Sequence, residues 1–168
     1  MPADVVLRTA VPGDKHSIEL VLSASFPKLL KGAYSEPLLV AVMPALTRAN
    51  PVLLTCGTFY VAENAEGQIV GCGGWTHEKP GSTEVVEGTV HIRLFALHPD
   101  WSGRGIGRRI YEHCEKHVRE TPATVFECYS TLNAEPFYSA MGFRTIGPLE
   151  VMMGGNVVFP ALLMRRSI

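Results

Sequence analysis

The stretch His91-Ile-Arg-Leu-Phe-Ala-Leu-His-Pro-Asp-Trp-Ser-Gly-Arg-Gly-Ile-Gly-Arg-Arg-Ile110 decides how this chain folds. Residues 90–97 form an apolar run of strand length, and Pro99 forbids its continuation as a central strand. Glycines 103, 105 and 107 then lead into a helical apolar pattern. The order is strand, tight glycine turn, helix. Such a turn leaves backbone N–H groups unpaired at the positive end of a helix, and the missing side chains let an anion approach them closely. The spacing excludes two nucleotide loops. A dinucleotide fingerprint counted from Gly103 requires glycine at 108, where Arg108 stands, and a Walker loop requires Gly-Lys-Ser or Gly-Lys-Thr, whereas Gly107 precedes Arg108 and Arg109.

Upstream, residues 5–9 read as a first strand, and Pro12-Gly-Asp14 as a turn whose aspartate can cap a helix running to about Phe26. Pro27 is read as the end of that helix, residues 28–35 as a loop, and residues 36–47 as a second helix with Pro44 near its end. Residues 58–62 and 68–75 flank a turn and read as a hairpin, and the polar segment 77–88 reads as a loop delivering the chain to the central strand. Downstream, residues 105–119 place Ile106, Ile110, Cys114 and Val118 on one helical stripe. Residues 124–130 have strand composition, residues 131–143 make a short helix with Pro136 near its first turn, and residues 144–152 and 157–165 form a last pair around Gly154-Gly155-Asn156.

At 168 residues, 46% apolar, 18% charged and net charge −1, the chain suits one domain with its own core, residues 1–168, and neither disorder nor a surface for polyanions. Nucleic acid is not expected as a partner. Cysteines 56, 72, 114 and 128 form no C-x-x-C pair and read as reduced core residues. The first residues carry no basic n-region or long apolar h-region, and no apolar run is long enough to span a bilayer, so a cytoplasmic protein is expected.

The strand leading into Gly105-Ile-Gly107, with Leu-His-Pro-Asp at 97–100, resembles motif A of the GCN5-related N-acetyltransferases, R/Q-x-x-G-x-G/A, except that Ser102 stands where Arg or Gln is usual. A second match lies downstream, where Asn133, Phe137-Tyr138 and Gly142-Phe143 resemble the helix that follows in that family. The order of elements fits along nearly the whole chain, and the motifs fit over residues 91–143. The resemblance implies an α+β fold of three layers, α/β/α: a mixed, mostly antiparallel sheet of about seven strands with about four helices. It implies an acetyl-CoA-dependent N-acetyltransferase, without a metal, whose acceptor is a primary amine of a small molecule or protein attacking directly in a ternary complex. A non-catalytic acetyl-CoA-binding sensor or interaction domain is the alternative, and a phosphate- or nucleotide-binding protein a further one.

Carried over residue by residue, the resemblance assigns the backbone of Phe95, Ala96 and Leu97 to the pantetheine arm. Ser102, Gly103, Arg104, Gly105, Ile106, Gly107 and Arg108 fall to the pyrophosphate, with Arg104, Arg108 and Arg109 adding positive charge. Tyr138 is assigned to protonate the departing sulfur, and Asn133 either to bond the pantetheine or to cap its helix. No carboxylate can be carried over as the base, because Arg93 and Leu94 occupy that region; His77, Glu78, His91 and Glu127 remain candidates. Residues 27–36, 77–88 and 148–156 are expected to wall the acceptor, and Tyr34 and Glu36 to lie near it. His113 and His117 sit one helical turn apart without the H-E-x-x-H order or a third ligand, and mid-strand Cys128 reads as core rather than nucleophile. The last strands offer an uncovered edge for a homodimer.

Overall fold

The computed structural model describes residues 4–168. Residues 1–3, part of the N-terminus read above as leaderless, lie outside that range. The elements run β1 (Val5–Thr9), α1 (Lys15–Leu29), α2 (Glu36–Leu46), β2 (Phe59–Asn64), β3 (Ile69–Thr76), β4 (Thr89–Leu97), α3 (Ile106–Val118), β5 (Val125–Ser130), α4 (Glu135–Ala140), β6 (Arg144–Met153) and β7 (Val157–Ser167). The seven strands form one sheet in the order β1-β2-β3-β4-β5-β7-β6. Every neighbouring pair is antiparallel except β4–β5, which α3 connects as a parallel crossover. The expected three-layer α+β architecture is the observed one.

Two cores cover the two faces. Alternate strand residues Val90, Ile92, Phe126, Cys128 and Met164 pack with Ile106, Ile110, Cys114 and Val118 of α3 and with Tyr138 of α4. The α3 stripe read from the sequence is thus the buried one. On the other face Ile18, Leu22, Phe26 and Leu30 of the α1 region and Val42 of α2 pack on Phe59, Val61, Cys72 and Phe159. β3 is buried along nearly its whole length because both layers cover it.

Three local expectations are corrected. Helix α1 does not stop at Pro27: it continues to Leu29, and the Leu30 N–H closes on the Phe26 carbonyl at 3.0 Å. The proline removes one hydrogen bond in the last turn, and burial of Phe26 and Leu30 on either side of it offsets that loss. Lys28 and Leu29 are therefore helical rather than loop. Asp14 does not cap α1 with its side chain; its carboxylate accepts from the Val11 N–H at 2.8 Å and from Arg8 at 2.7 Å. The Arg8 guanidinium, which also pairs with Glu63, holds the Asp14 carboxyl below its ordinary range. Tyr34, within the segment read as a loop, is a packed residue: it stacks on Phe159, donates to the Pro160 carbonyl at 2.7 Å and accepts from the Leu132 N–H at 2.9 Å.

Candidate functional site

The parallel pair β4–β5 is short. Its register covers Thr89↔Val125, Val90↔Phe126 and His91↔Glu127, after which the strands part. From there to Leu97 the edge of β4 that faces β5 has no strand partner, while its other edge stays on β3. The fork opens into a cleft of about 480 Å³. Phe95, Ala96 and Leu97 line one wall, Asn133 and Tyr138 another, and Ser102 and Gly107 lie at the turn.

A bulge sets the end of β4. Between Cys72 and Gly74 the register slips so that Leu94 and Phe95 both oppose Gly73, and Leu94 takes a left-handed φ of +48°. Phe95 lies across the sheet where a Cβ on Gly73 would come within 2.7 Å of its ring. The glycine at 73 is thus the clearance that lets β4 turn its free edge toward the fork.

The turn after β4 presents donors. Among the described residues, the backbone N–H groups of 103–108 donate to nothing, and the first bond of α3 runs from the Arg109 N–H to the Gly105 carbonyl at 3.1 Å. Gly105 sits at φ +78° as the residue before α3, a conformation that costs any residue with a Cβ about 1–2 kcal/mol. Six amides at the positive end of a thirteen-residue helix suit an anion with several oxygens. The side chains contribute less than expected. Ser102 donates its hydroxyl to the Pro99 carbonyl at 2.8 Å, and Arg104 stacks 4.6 Å over Trp101 while donating to the Asp100 carbonyl. Arg109 reaches away to the Val5 carbonyl at 3.1 Å, which corrects its reading as a nearby positive charge for the anion. Ile106 is a fully buried core side chain, so only its N–H is available, and Arg108 is exposed.

Opposite the β4 edge, Tyr138 is almost wholly buried between Phe95, Phe137 and Phe143. Burial first, then the neighbouring Cys128 thiol, pushes its hydroxyl well above the ordinary range, so the phenol stays protonated at neutral pH. Asn133 does not cap α4: its Nδ2 donates to the Leu29 carbonyl at 3.2 Å, and its buried Oδ1 has no partner. An orphan acceptor lining a cleft awaits a donor.

Ser25 from α1, Cys72 from β3 and Ile110, which sequence reasoning missed, complete the cleft, with Lys28 and Leu29 from the 27–36 segment expected around the acceptor and Phe137 from the second motif. Ser25, Lys28 and Leu29 share a helical face at i, i+3, i+4, a signal that reading Pro27 as a terminator concealed. Cys72 is no nucleophile, since burial pushes its thiol up to about 12. The same holds in direction for Cys128.

The four candidate bases separate. His77 is exposed beside Trp75, and the Glu78 carbonyl accepts from Thr76 at 2.8 Å; neither lines the cleft. His91 and Glu127 are register partners with Nδ1 and Oε1 3.6 Å apart, both buried, on the face opposite α3. There a second cavity of about 410 Å³ opens, lined by Glu127, Tyr129 and Arg165 and by Lys79 and Val86 from the 77–88 segment. Leu149 belongs to its wall, but nothing from 27–36 does, so two of the three segments expected around the acceptor meet there. His113 and His117 instead pack on Tyr60, and the His117 Nδ1 donates to the His113 carbonyl at 2.9 Å. Among the described residues no helix is long and apolar enough to cross a membrane.

Residues 49–159 match the acetyltransferase (GNAT) domain family. No curated protein sequence matches the chain. Among solved structures, the chain is similar to a GCN5-related N-acetyltransferase from Rhodopseudomonas palustris, with 21% identity, TM-score 0.78, and 100% of this chain and 98% of that one covered. It is also similar to the PaiA N-acetyltransferase of Thermoplasma acidophilum, solved with coenzyme A, at 14% identity and TM-score 0.68 over 98% and 99% of the two chains. YncA of Salmonella typhimurium, solved with acetyl-CoA, gives 16% identity and TM-score 0.64 over 98% and 94%. At these identities the likeness is one of fold.

Proposed function

Because the chain belongs to the GNAT acetyltransferase family, we propose that it is a single-domain, cytoplasmic N-acetyltransferase that moves the acetyl group of acetyl-CoA to a primary amine within a ternary complex. One observation carries the reading: the unpaired edge of β4 and the unpartnered amides of 103–108 line one continuous path along the fork. Relatives of this fold hold coenzyme A or acetyl-CoA, which supports the choice of donor.

In this reading the pyrophosphate rests on the N–H groups of 103–108, with Lys28 across the cleft as a further cation. The pantetheine arm pairs like an added strand with the open edge at Phe95, Ala96 and Leu97, and one of its amide groups donates to Asn133 Oδ1. The edge amides that bind the arm also polarise the thioester carbonyl. The amine nitrogen attacks that carbon, the C–S bond breaks with its electron pair going to sulfur, and Tyr138 gives the sulfur its proton. Raising the hydroxyl above its ordinary range keeps the donor form loaded at neutral pH.

Calorimetric titration with coenzyme A, together with thiol release from acetyl-CoA in the presence of amines, tests the proposal. Saturable binding in the micromolar range and amine-dependent thiol release are expected. Absence of heat with both coenzyme A and acetyl-CoA would discard it, and binding without turnover for any amine would leave a sensor domain in its place.

A further inference from the structure

The cavity behind the fork holds charged groups that the foregoing mechanism does not use. Glu127 is 8% exposed; its Oε2 accepts from Arg165 Nε at 2.7 Å, and its Oε1 makes no hydrogen bond among the described residues. His91 is 1% exposed and neither ring nitrogen has a hydrogen-bond partner. Burying an imidazole with neither nitrogen bonded is costly, and its Nδ1 lies 3.6 Å from Glu127 Oε1, on the residue of the pair that lines the cavity and that a ligand can reach.

Position gives the pair its meaning. Along β5, Glu127 precedes Cys128, the residue beside Tyr138, so their Cα atoms lie about 3.8 Å apart. Phe126 and Cys128 belong to the α3 face, whereas Glu127 and Tyr129 line the reverse cavity. A proton donor and a carboxylate therefore stand at the same level of the fork, on opposite faces of the sheet.

We propose that Glu127, backed by His91, receives the ammonium group of the acceptor in the reverse cavity and takes its proton, and that the acceptor is a small amine with an apolar body and a carboxylate of its own. This rests on the acetyltransfer reading above. Lys79, paired with Glu84 at 3.4 Å, and Arg165, paired with Glu127 at 2.7 Å, put both signs of charge at the cavity, which suits a zwitterion better than a polyamine, while Val86, Val125, Leu149 and Leu163 supply apolar wall. The ammonium loses one proton to the pair and the neutral amine attacks. The tetrahedral adduct loses a second proton from nitrogen to the pair as the C–S bond breaks. Sulfur takes its proton from Tyr138, which is reprotonated from the pair, and one proton leaves to solvent. Amide, thiol and one proton are the products.

His91 is faced by Glu127 and Tyr129 from β5, by Glu78 and Lys79 from the 77–88 segment and by Arg93 on its own strand, with Arg165 acting through Glu127. Burial, the largest influence, holds the imidazole below its ordinary range, so it is neutral and able to accept a proton at pH 7.

The test uses the whole protein saturated with acetyl-CoA, following thiol release with L-leucine and L-phenylalanine, the same two amines lacking the carboxylate, and spermidine. The amino acids are expected to exceed their decarboxylated counterparts about tenfold, and spermidine to be slowest. Equal rates with and without the carboxylate, preference for spermidine, or no turnover with any of the five overturns the acceptor class. With the best amine, Glu127→Gln is expected to lower kcat/KM about 100-fold at pH 7, and to leave coenzyme A affinity within twofold by calorimetry. Its loss is also expected to shrink above pH 9, where more of the amine is already neutral. An unchanged kcat/KM, or a loss independent of pH, overturns the role of Glu127. Failure of the unsubstituted protein to bind coenzyme A sinks the acetyltransfer reading instead, so the two failures are told apart.

Discussion

The two halves of β4 obey different rules. From Thr89 to His91 the strand is bonded to β5, with His91 also opposite Thr76 of β3, and its side chains alternate between two layers. From Leu94 to Leu97 it is bonded to β3 alone, bulged, and open toward the fork. The first half is locked to β5 beneath the core, and the second is a half-finished sheet whose outer edge has no strand partner. One strand can thus serve the core at one end and, in the proposed reading, a ligand at the other, because its pairing with β5 ends abruptly at His91↔Glu127.

If that division is real, substitutions should move stability and ligand handling separately. The largest effect is expected from the closed half: Phe126→Ala removes a fully buried ring beneath α3 and should cost about 3–5 kcal/mol. Urea unfolding would measure this, with coenzyme A affinity of the folded fraction unchanged. At the open half, Tyr138→Phe should lower kcat about 100-fold, while the melting temperature and coenzyme A affinity hold. An unaltered kcat would remove the phenol from the chemistry. Because its hydroxyl is pushed well above the ordinary phenol range, the unsubstituted enzyme should show no loss of kcat from this group up to about pH 10.

Smaller effects sharpen the boundary. Gly105→Ala forces a Cβ into the left-handed region and should cost about 1–2 kcal/mol. Part of that strain falls on the loop amides, so coenzyme A should bind more weakly in calorimetry. Gly81→Ala, equally left-handed but in the 77–88 segment, should carry the strain without the binding loss. Asn133→Ala removes an unpartnered buried acceptor together with the bond from Nδ2 to the Leu29 carbonyl, so the free protein should lose no more than about 1 kcal/mol, while coenzyme A affinity should fall by about 1 kcal/mol. Least in size is a pH effect: His91 and His113 are both held below the ordinary imidazole range by burial. The unfolded chain therefore takes up protons that the folded one refuses, and stability should fall as pH drops below about 6.5. Denaturation midpoints between pH 5 and 7 would register it, and His91→Gln should flatten the slope.

Most of the fold was legible because its signals are local. The apolar run of β4, the glycines before α3 and the stripe Ile106, Ile110, Cys114, Val118 each follow from spacing alone. The turn amides were singled out by the glycine spacing and Tyr138 by resemblance, and the structure sets the turn and Tyr138 along one cleft. What escaped depends on distant partners. Pro27 reads as a stop until the burial of Phe26 and Leu30 is known, and with it went the contribution of Lys28 and Leu29 to the cleft. Arg109 resembles its neighbours in sequence, and only the position of β1 sends it to the Val5 carbonyl. Asn133 looks like a cap because Asn begins many helices, but the Leu29 carbonyl lies 104 residues away and claims its amide. The bulge at Leu94 has no signature at all in its own strand; it is written in Gly73, on the neighbouring one.

One consequence of the strand order concerns synthesis. β7 comes after β6 in the chain, yet it lies between β5 and β6 and bonds to both. While the polypeptide is emerging from the ribosome, β5 has no outer neighbour and β6 has nothing to lean on until residues 157–167 clear the exit tunnel. The half-sheet must wait with two bare edges, a stage at which nascent chains are prone to pair with one another.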